Sequence, residues 1–296
     1  MEATVTTLPC RSALNRVRGM PFGWSLNPYR GCAHACVYCF ARTTHTYLDL
    51  GAGEDFSSHL FVKENLPEVL ESELTSPRWH REEVAVGTAT DPYQPLEGRL
   101  GLTRRCLELL ARYRTPATLI TKGPMVRRDI DVLQELSRMA GCTVLVSVPT
   151  VDEAVWRRTE PGTPAPRHRL LAVRHLVRAG IRTGVMLAPL LPGISDGEGS
   201  IAAAVRAAAA HEACFVHAGL LYLKADVKAH YKTFLTRHYP ELLPRYQALY
   251  PGSFAPTGLR DGVTARVRQL SVRYGVRDGR TTRLEPPQRP TQRALF

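Results

Sequence analysis

Short, nearly continuous apolar runs alternate along this chain with longer segments whose apolar residues recur every three to four positions. The short runs Val84–Thr90, Ala117–Thr121, Thr143–Val148, Thr183–Leu190 and Phe215–Leu223 predict strands buried on both faces. Between and after them, Thr103–Tyr113, Asp129–Met139, Arg167–Ala179, Ser200–Ala213 and Asp226–His238 predict helices. Leu107, Leu110 and Tyr113 share one face of the first helix, and Ile130, Leu133 and Leu136 share one face of the second. Thr103 and Asp129 stand where N-caps belong, and Gly180 where a helix stops. Strand and helix in strict alternation imply a parallel sheet. About six such units predict an α/β fold, a TIM-type barrel or a partial (βα)6 barrel. Residues 21–225 carry this pattern. Residues 1–20 read as an N-terminal arm, 226–284 as a basic, partly helical extension, and 285–296 as a flexible, proline-rich tail.

Composition narrows the class. The 296 residues are 44% hydrophobic and 22% charged, the balance of a globular protein with a substantial core. No apolar run reaches the ~18 residues of a membrane span. Pro189, Pro192 and Arg206 break the longest candidates. The first residues hold no apolar stretch of the signal-peptide kind, so the expected location is the reducing cytoplasm, with no membrane contact.

The formal net charge is +12. Between Arg245 and Phe296 there are ten arginines, no lysine and three acids, a surplus of seven positive charges. Such a basic stretch is the footprint of binding to DNA or another nucleic acid, although an arginine-rich composition also arises without such binding.

Seven cysteines are present: Cys10, Cys32, Cys36, Cys39, Cys106, Cys142 and Cys214. An odd number in a reducing compartment argues against a disulfide framework. Cys32, Cys36 and Cys39 fall within eight residues, the clustering of a metal site. Structural zinc wants four closed ligands, and His34 or Cys10 is the available fourth. An iron–sulfur cluster is the other reading; three thiolates leave one iron open to an outside ligand. Cys142 and Cys214 precede their strands and Cys106 sits early in a helix, which fits small buried hydrophobes.

The spacing Cys32-x3-Cys36-x2-Cys39, with Tyr38 before the last cysteine, resembles the signature of the radical S-adenosylmethionine (SAM) superfamily. The flanking Asn27-Pro28-Tyr29-Arg30-Gly31 and Phe40-Ala41-Arg42 are similar to the branch related to spore photoproduct lyase, a DNA-repair enzyme. The resemblance covers roughly residues 20–225. It implies a partial barrel and a [4Fe-4S] cluster on the three thiolates, with SAM chelated to the open iron. The implied activity is reductive cleavage of SAM to a 5′-deoxyadenosyl radical that takes hydrogen from a substrate, with ferredoxin or flavodoxin as reductant.

In barrels of this kind the chemistry lies at the carboxyl ends of the strands. Thr88, Thr90 and Asp91 end one predicted strand, with Tyr93 just beyond; Thr121 and Lys122 end the next. Ser147, the Leu190–Ser195 segment and Tyr222 follow at the later strand ends. The resemblance implies that Lys122 contacts the SAM carboxylate, Ser147 the ribose, and Tyr38 the cluster and adenine. The plainer alternatives are a solvated lysine, a backbone-bonded serine and a core aromatic. One departure matters: Thr88 stands where spore photoproduct lyase carries its hydrogen-donating cysteine. A threonine O–H bond is too strong to quench a carbon radical as a thiol does, so either another donor such as Tyr93 or Tyr222 serves, or SAM is regenerated differently, or the substrate is not that lesion.

The last residues, Gln292-Arg293-Ala294-Leu295-Phe296, resemble a bacterial sliding-clamp-binding peptide, with Arg293 in place of its usual leucine. Three classes remain open at this point. One is a radical SAM enzyme on DNA. Another is such an enzyme on RNA, protein or a small molecule. The third is a non-catalytic, zinc-bound nucleic-acid module.

Overall fold

The computed structural model describes residues 3–276. The proposed clamp peptide and the rest of the tail lie outside them.

The first strands are β1 (Thr4–Thr7), β2 (Leu14–Arg16), β3 (Trp24–Leu26) and β4 (Tyr29–Arg30). After the cysteine loop come the short helix α1 (Asp55–Ser58), β5 (His59–Val62) and α2 (Leu66–Thr75). The alternation then runs β6 (Val84–Val86), α3 (Glu97–Leu100), α4 (Leu102–Arg112), β7 (Ala117–Thr121), α5 (Ile130–Met139) and β8 (Cys142–Ser147). It continues with α6 (Glu153–Thr159), α7 (Pro166–Arg178), β9 (Arg182–Leu190), α8 (Glu198–Ala210) and β10 (Val216–Leu220). Helices α9 (Ala225–His238), α10 (Leu243–Leu249) and α11 (Thr257–Arg273) complete the described chain.

One seven-stranded sheet carries the fold, in the order β10-β9-β8-β7-β6-β3-β2. Six of these strands are parallel and appear in sequence order; β2 lies antiparallel on the β3 edge. The ends β10 and β2 do not pair, so the barrel is open, the partial form of the two expected. The register aligns the carboxyl ends: Thr121 pairs with Val146, and Ser147 with Met186. Short βα turns therefore deliver their first residues to one rim.

The main core sits between sheet and helices. Leu107 and Leu110 of α4, Leu133 and Leu136 of α5, and Val173 and Leu176 of α7 are fully buried against Val84, Leu119, Val144 and Val185. Burying each such side chain contributes about 1.5–3 kcal/mol. Gly180, at φ +80°, ends the α7 segment in the left-handed conformation that glycine adopts without steric cost.

Three expectations change. Residues 1–20 are not a patternless arm: β1 runs parallel to β5 in a separate three-stranded sheet, and β2 pairs with β3. Every residue of β1 is exposed, so no hydrophobic alternation marked it. The two predicted N-caps do not cap. Gly101 occupies that position of α4, while Thr103 donates its hydroxyl to the Pro92 carbonyl at 2.6 Å. Asp129 makes no side-chain cap because it accepts hydrogen bonds from Tyr93, Arg104 and Arg128. Helix α11 is part of the main core: Val263, Val267 and Leu270 pack there, beside β10 and α8.

Candidate active site

The cysteine loop leaves β4 at Gly31, whose φ is +76°. A Cβ there would lie 2.7 Å from the His59 carbonyl oxygen, so only glycine makes this turn. Thr90 donates to the Gly31 carbonyl at 2.7 Å, and Gln94 both donates to it and accepts from the Ala33 amide. On the far side, Val37 donates to the Thr159 carbonyl at 3.0 Å and Gly162 to the His34 carbonyl at 3.1 Å. A side chain on Gly162 would run into the Ala33 carbonyl. The loop is thus clamped from both flanks by hydrogen bonds within the protein.

Cys32, Cys36 and Cys39 all line one cavity of about 350 Å³ at the carboxyl rim of the sheet. Cys32 and Cys36 are buried and Cys39 half-buried. Burial raises the Cys36 and Cys39 thiols; the charge of Glu160 raises Cys36 further, and that of Cys32 raises Cys39. Of the two candidate fourth zinc ligands, His34 lines this cavity with the cysteines and Cys10 does not. His34 lies with Nδ1 3.3 Å from Asp91, and Cys10 is tied through its backbone to Asn65, outside the cavity lining. Three soft thiolates from one loop, facing a cavity that extends beyond them, fit a cluster with one open iron.

A charged wall adjoins the thiols. Lys122 Nζ donates to Ser147 Oγ at 2.5 Å, sits 3.4 Å from Glu160 Oε1, and lies 5.8 Å from the Tyr38 ring centroid. Glu160 is fully buried, accepts the Tyr38 hydroxyl, and pairs with Arg169 Nη2 at 2.7 Å. Burial works against its charge, but Arg169, Lys122 and the Tyr38 hydroxyl together hold its carboxyl at about 2. Asp91 accepts from the Thr121 hydroxyl and the Lys122 amide, both at 2.6 Å, which fixes the strand end that carries Lys122. Burial likewise opposes its charge, yet His34 and these hydrogen bonds hold Asp91 at about 2. Burial disfavours protonated His34, but Asp91 and Cys32 outweigh it and raise the imidazole to about 10.

The structure brings together Tyr38, Lys122, Ser147, Thr88, Tyr222 and the three thiols as lining of the same cavity. Thr88 accepts from Asn27 Nδ2 at 3.3 Å. Tyr93 is not among the lining. It is buried in the main core, and its hydroxyl donates to Asp129 at 2.9 Å, which removes it as a donor into the cavity. The Leu190–Ser195 turn closes on itself, Ser195 accepting from the Leu191 amide at 2.9 Å. Glu160, Arg169 and Arg42 escape sequence reasoning. Glu160 carried one usable signal, an acid in the loop between α6 and α7 on the rim side.

The mouth is aromatic. Tyr222 forms an isolated bridge with Phe254, their rings 4.6 Å apart, and Phe40 approaches Tyr222 at 6.3 Å. Phe254 and Phe40 are 59% and 44% exposed, and Arg260 lies over the Phe254 ring at 5.4 Å.

Parallel open barrel, three-thiol loop and polar strand-end wall define a class of enzyme, and the chain belongs to the radical SAM superfamily, whose family model matches residues 26–204. Its cofactors are accordingly a [4Fe-4S] cluster and SAM. It is 40% identical over 269 residues to an uncharacterised protein of Mycobacterium tuberculosis strain H37Rv, covering 90% of this chain and 79% of that one. An uncharacterised protein of Methanocaldococcus jannaschii is 27% identical over 216 residues, 73% of this chain and 76% of that one. The fold is similar to spore photoproduct lyase complexed with dinucleoside spore photoproduct, at a TM-score of 0.69 and 14% identity, over 91% of this chain and 79% of that one. At that identity the likeness is one of fold. No helix among the described residues is long and apolar enough to cross a membrane.

Proposed function

We propose that the enzyme acts on nucleic acid, and that its substrate is a damaged DNA base rotated out of the duplex into the cavity. The observation that carries this reading is the Phe40–Tyr222–Phe254 rim with Arg260 against it. Exposed aromatic faces beside a cation are how proteins hold unstacked bases, each stack contributing about 1–3 kcal/mol. A recessed cavity suits an extruded nucleotide. The net charge of +12 and the fold shared with a lyase seen with a DNA photoproduct support the same substrate class.

When bound and reduced, the cluster supplies an electron that splits SAM and yields a 5′-deoxyadenosyl radical. The chain's residues orient and shield. Cys32, Cys36 and Cys39 hold the metal. The Lys122 ammonium, held by Ser147 and Glu160, offers a point charge to the SAM carboxylate, and Ser147 offers its oxygen to the adjoining ribose. Tyr38 packs against this end with its hydroxyl committed to Glu160. The apolar lining of Met186, Ala188, Pro189 and Leu221 keeps water from the reacting carbon. Of the two donors that the sequence offered in place of a thiol, Tyr93 is turned to Asp129 and Tyr222 lines the cavity. Tyr222 is therefore assigned the return of one hydrogen atom to the product radical, as a positioned donor, and the phenoxyl radical left on it is restored by one electron from the external reductant and one proton.

The test is 5′-deoxyadenosine formation by reconstituted, reduced enzyme with SAM. Ultraviolet-irradiated DNA should raise it above undamaged DNA, RNA and no substrate. Equal stimulation by RNA, or none by any nucleic acid, overturns the reading.

A further inference from the structure

Five arginine, lysine or acidic side chains are buried among the described residues: Arg42, Glu97, Asp129, Glu160 and Arg169. Four of them have an opposite charge in contact. Glu97 and Asp129 pair with Arg128 at 2.8 and 2.7 Å, and Glu160 pairs with Arg169. Arg42 is the exception. It is 2% exposed, and no ion pair of the described residues includes it.

Its guanidinium is instead spent on backbone. Nε donates to the Cys36 carbonyl at 3.0 Å, Nη2 to the Ala35 carbonyl at 3.0 Å, and Nη1 to the carbonyls of Gly53 and, at 3.3 Å, Ala52. The Phe56 ring lies 5.3 Å from its Cζ. These partners satisfy hydrogen bonds but bring no negative charge. A buried guanidinium cannot shed its proton, and an uncompensated buried charge is heavily penalised. The missing anion must come from what the loop holds, and the three cysteines are the groups whose negative charge acts most on Arg42.

We infer that Arg42 is the built-in counter-charge of the iron–sulfur cluster, a positioning residue that both ties down the cysteine loop and eases the cluster's reduction. Three thiolates outweigh the oxidised cluster's charge by one, and an added electron doubles that excess. A fixed cation beneath the ligating loop stabilises the reduced state more than the oxidised one. Net charge and hydrogen bonding around the ligands are what set such potentials. Arg42 stands three residues after Cys39, so the same short segment supplies both ligands and counter-charge.

The test separates charge from scaffolding. Arg42→Lys keeps the charge and loses the planar fork; Arg42→Gln keeps a hydrogen-bonding amide and loses the charge. Each full-length variant is reconstituted, its iron counted, and its reduced fraction read by electron paramagnetic resonance in a potentiometric titration. The expected result is at least a tenfold lower reduced-to-oxidised ratio at fixed potential for Arg42→Gln, about 59 mV for one electron. Arg42→Lys should stay within about threefold of the unaltered protein. Loss of the cluster in Arg42→Gln with retention in Arg42→Lys also supports a charge role. Equal potentials in all three proteins, equal shifts in both variants, or loss of iron from both reduce Arg42 to a scaffold and overturn the inference.

Discussion

In the cavity wall Lys122, Ser147, Tyr38 and Glu160 form a closed set, each tied to another member, with Glu160 paired to Arg169 behind them. At the mouth, Phe40, Tyr222 and Phe254 meet through ring contacts and one backbone bridge, and Phe40 and Phe254 are exposed. The first wall is a preorganised electrostatic surface whose groups cannot reorient without leaving a buried charge unpaired. The second offers adaptable area with little directional bonding. An invariant cofactor suits the first, and a substrate that must be admitted, tested and released suits the second. The contrast teaches that rigidity in this cavity is spent where the chemistry is constant.

The largest expected effect falls on the thiol loop. Cys36→Ser should lose the cluster and with it all detectable SAM cleavage, read as iron content and 5′-deoxyadenosine yield. Full iron in this variant would mean that Cys36 is not a ligand. Acid tests the charged wall next. The Glu160 carboxyl, ordinarily near 4.5, is held at about 2, so its stabilisation is complete above pH 4.5 and disappears as pH falls toward 2. The shift is worth about 3 kcal/mol. Chemical denaturation between pH 6 and pH 3 should show a steeper loss for the native protein than for Glu160→Gln, which starts weaker and has no such group to protonate. Parallel curves would refute the burial and pairing of Glu160.

Lys122→Met should weaken SAM binding by ~10–100-fold, the loss of one charge-assisted contact of about 1.5–3 kcal/mol, while iron content stays unchanged. Calorimetric titration with SAM checks this, and unchanged affinity would return Lys122 to a purely structural role. Phe254→Ala should leave SAM affinity alone and cut stimulation by damaged DNA ~5–100-fold, the worth of one base stack. If SAM affinity fell as far as DNA stimulation, the division between the walls would collapse. The smallest expected effect on catalysis, none, belongs to deletion of Gln292–Phe296. That change should abolish only capture of the protein on immobilised bacterial sliding clamp, and equal capture with and without the peptide would dismiss the motif.

Much of this cavity was legible because strand ends in a parallel barrel announce themselves. Lys122, Ser147, Thr88 and Tyr222 all line it, and the three cysteines were visible as spacing alone. Tyr93 shows where that logic stops. Proximity to a strand end fixes a residue's level in the barrel but not the direction of its side chain, and Asp129 turns this one away. The same long-range recruitment defeated the two predicted N-caps, since Pro92 holds Thr103, and Tyr93 and Arg104 hold Asp129, from positions distant in sequence. Arg169, lodged within α7, pairs with Glu160 across a turn whose shape no periodicity reveals. Phe254 reached the mouth only through the chain that follows β10.

That last bridge has a consequence for how such enzymes diversify. Tyr222 ends the barrel and Phe254 belongs to the segment between α10 and α11, so this part of the rim is stitched together from two stretches of chain, both of them beyond the span that matches the family model. Reaction and target are written in separate passages. Exchanging residues 250–256 alone, the segment between α10 and α11, would alter the Phe254 side of the rim and leave the core contacts of Val263, Val267 and Leu270 in place, which makes this short join a natural point of variation.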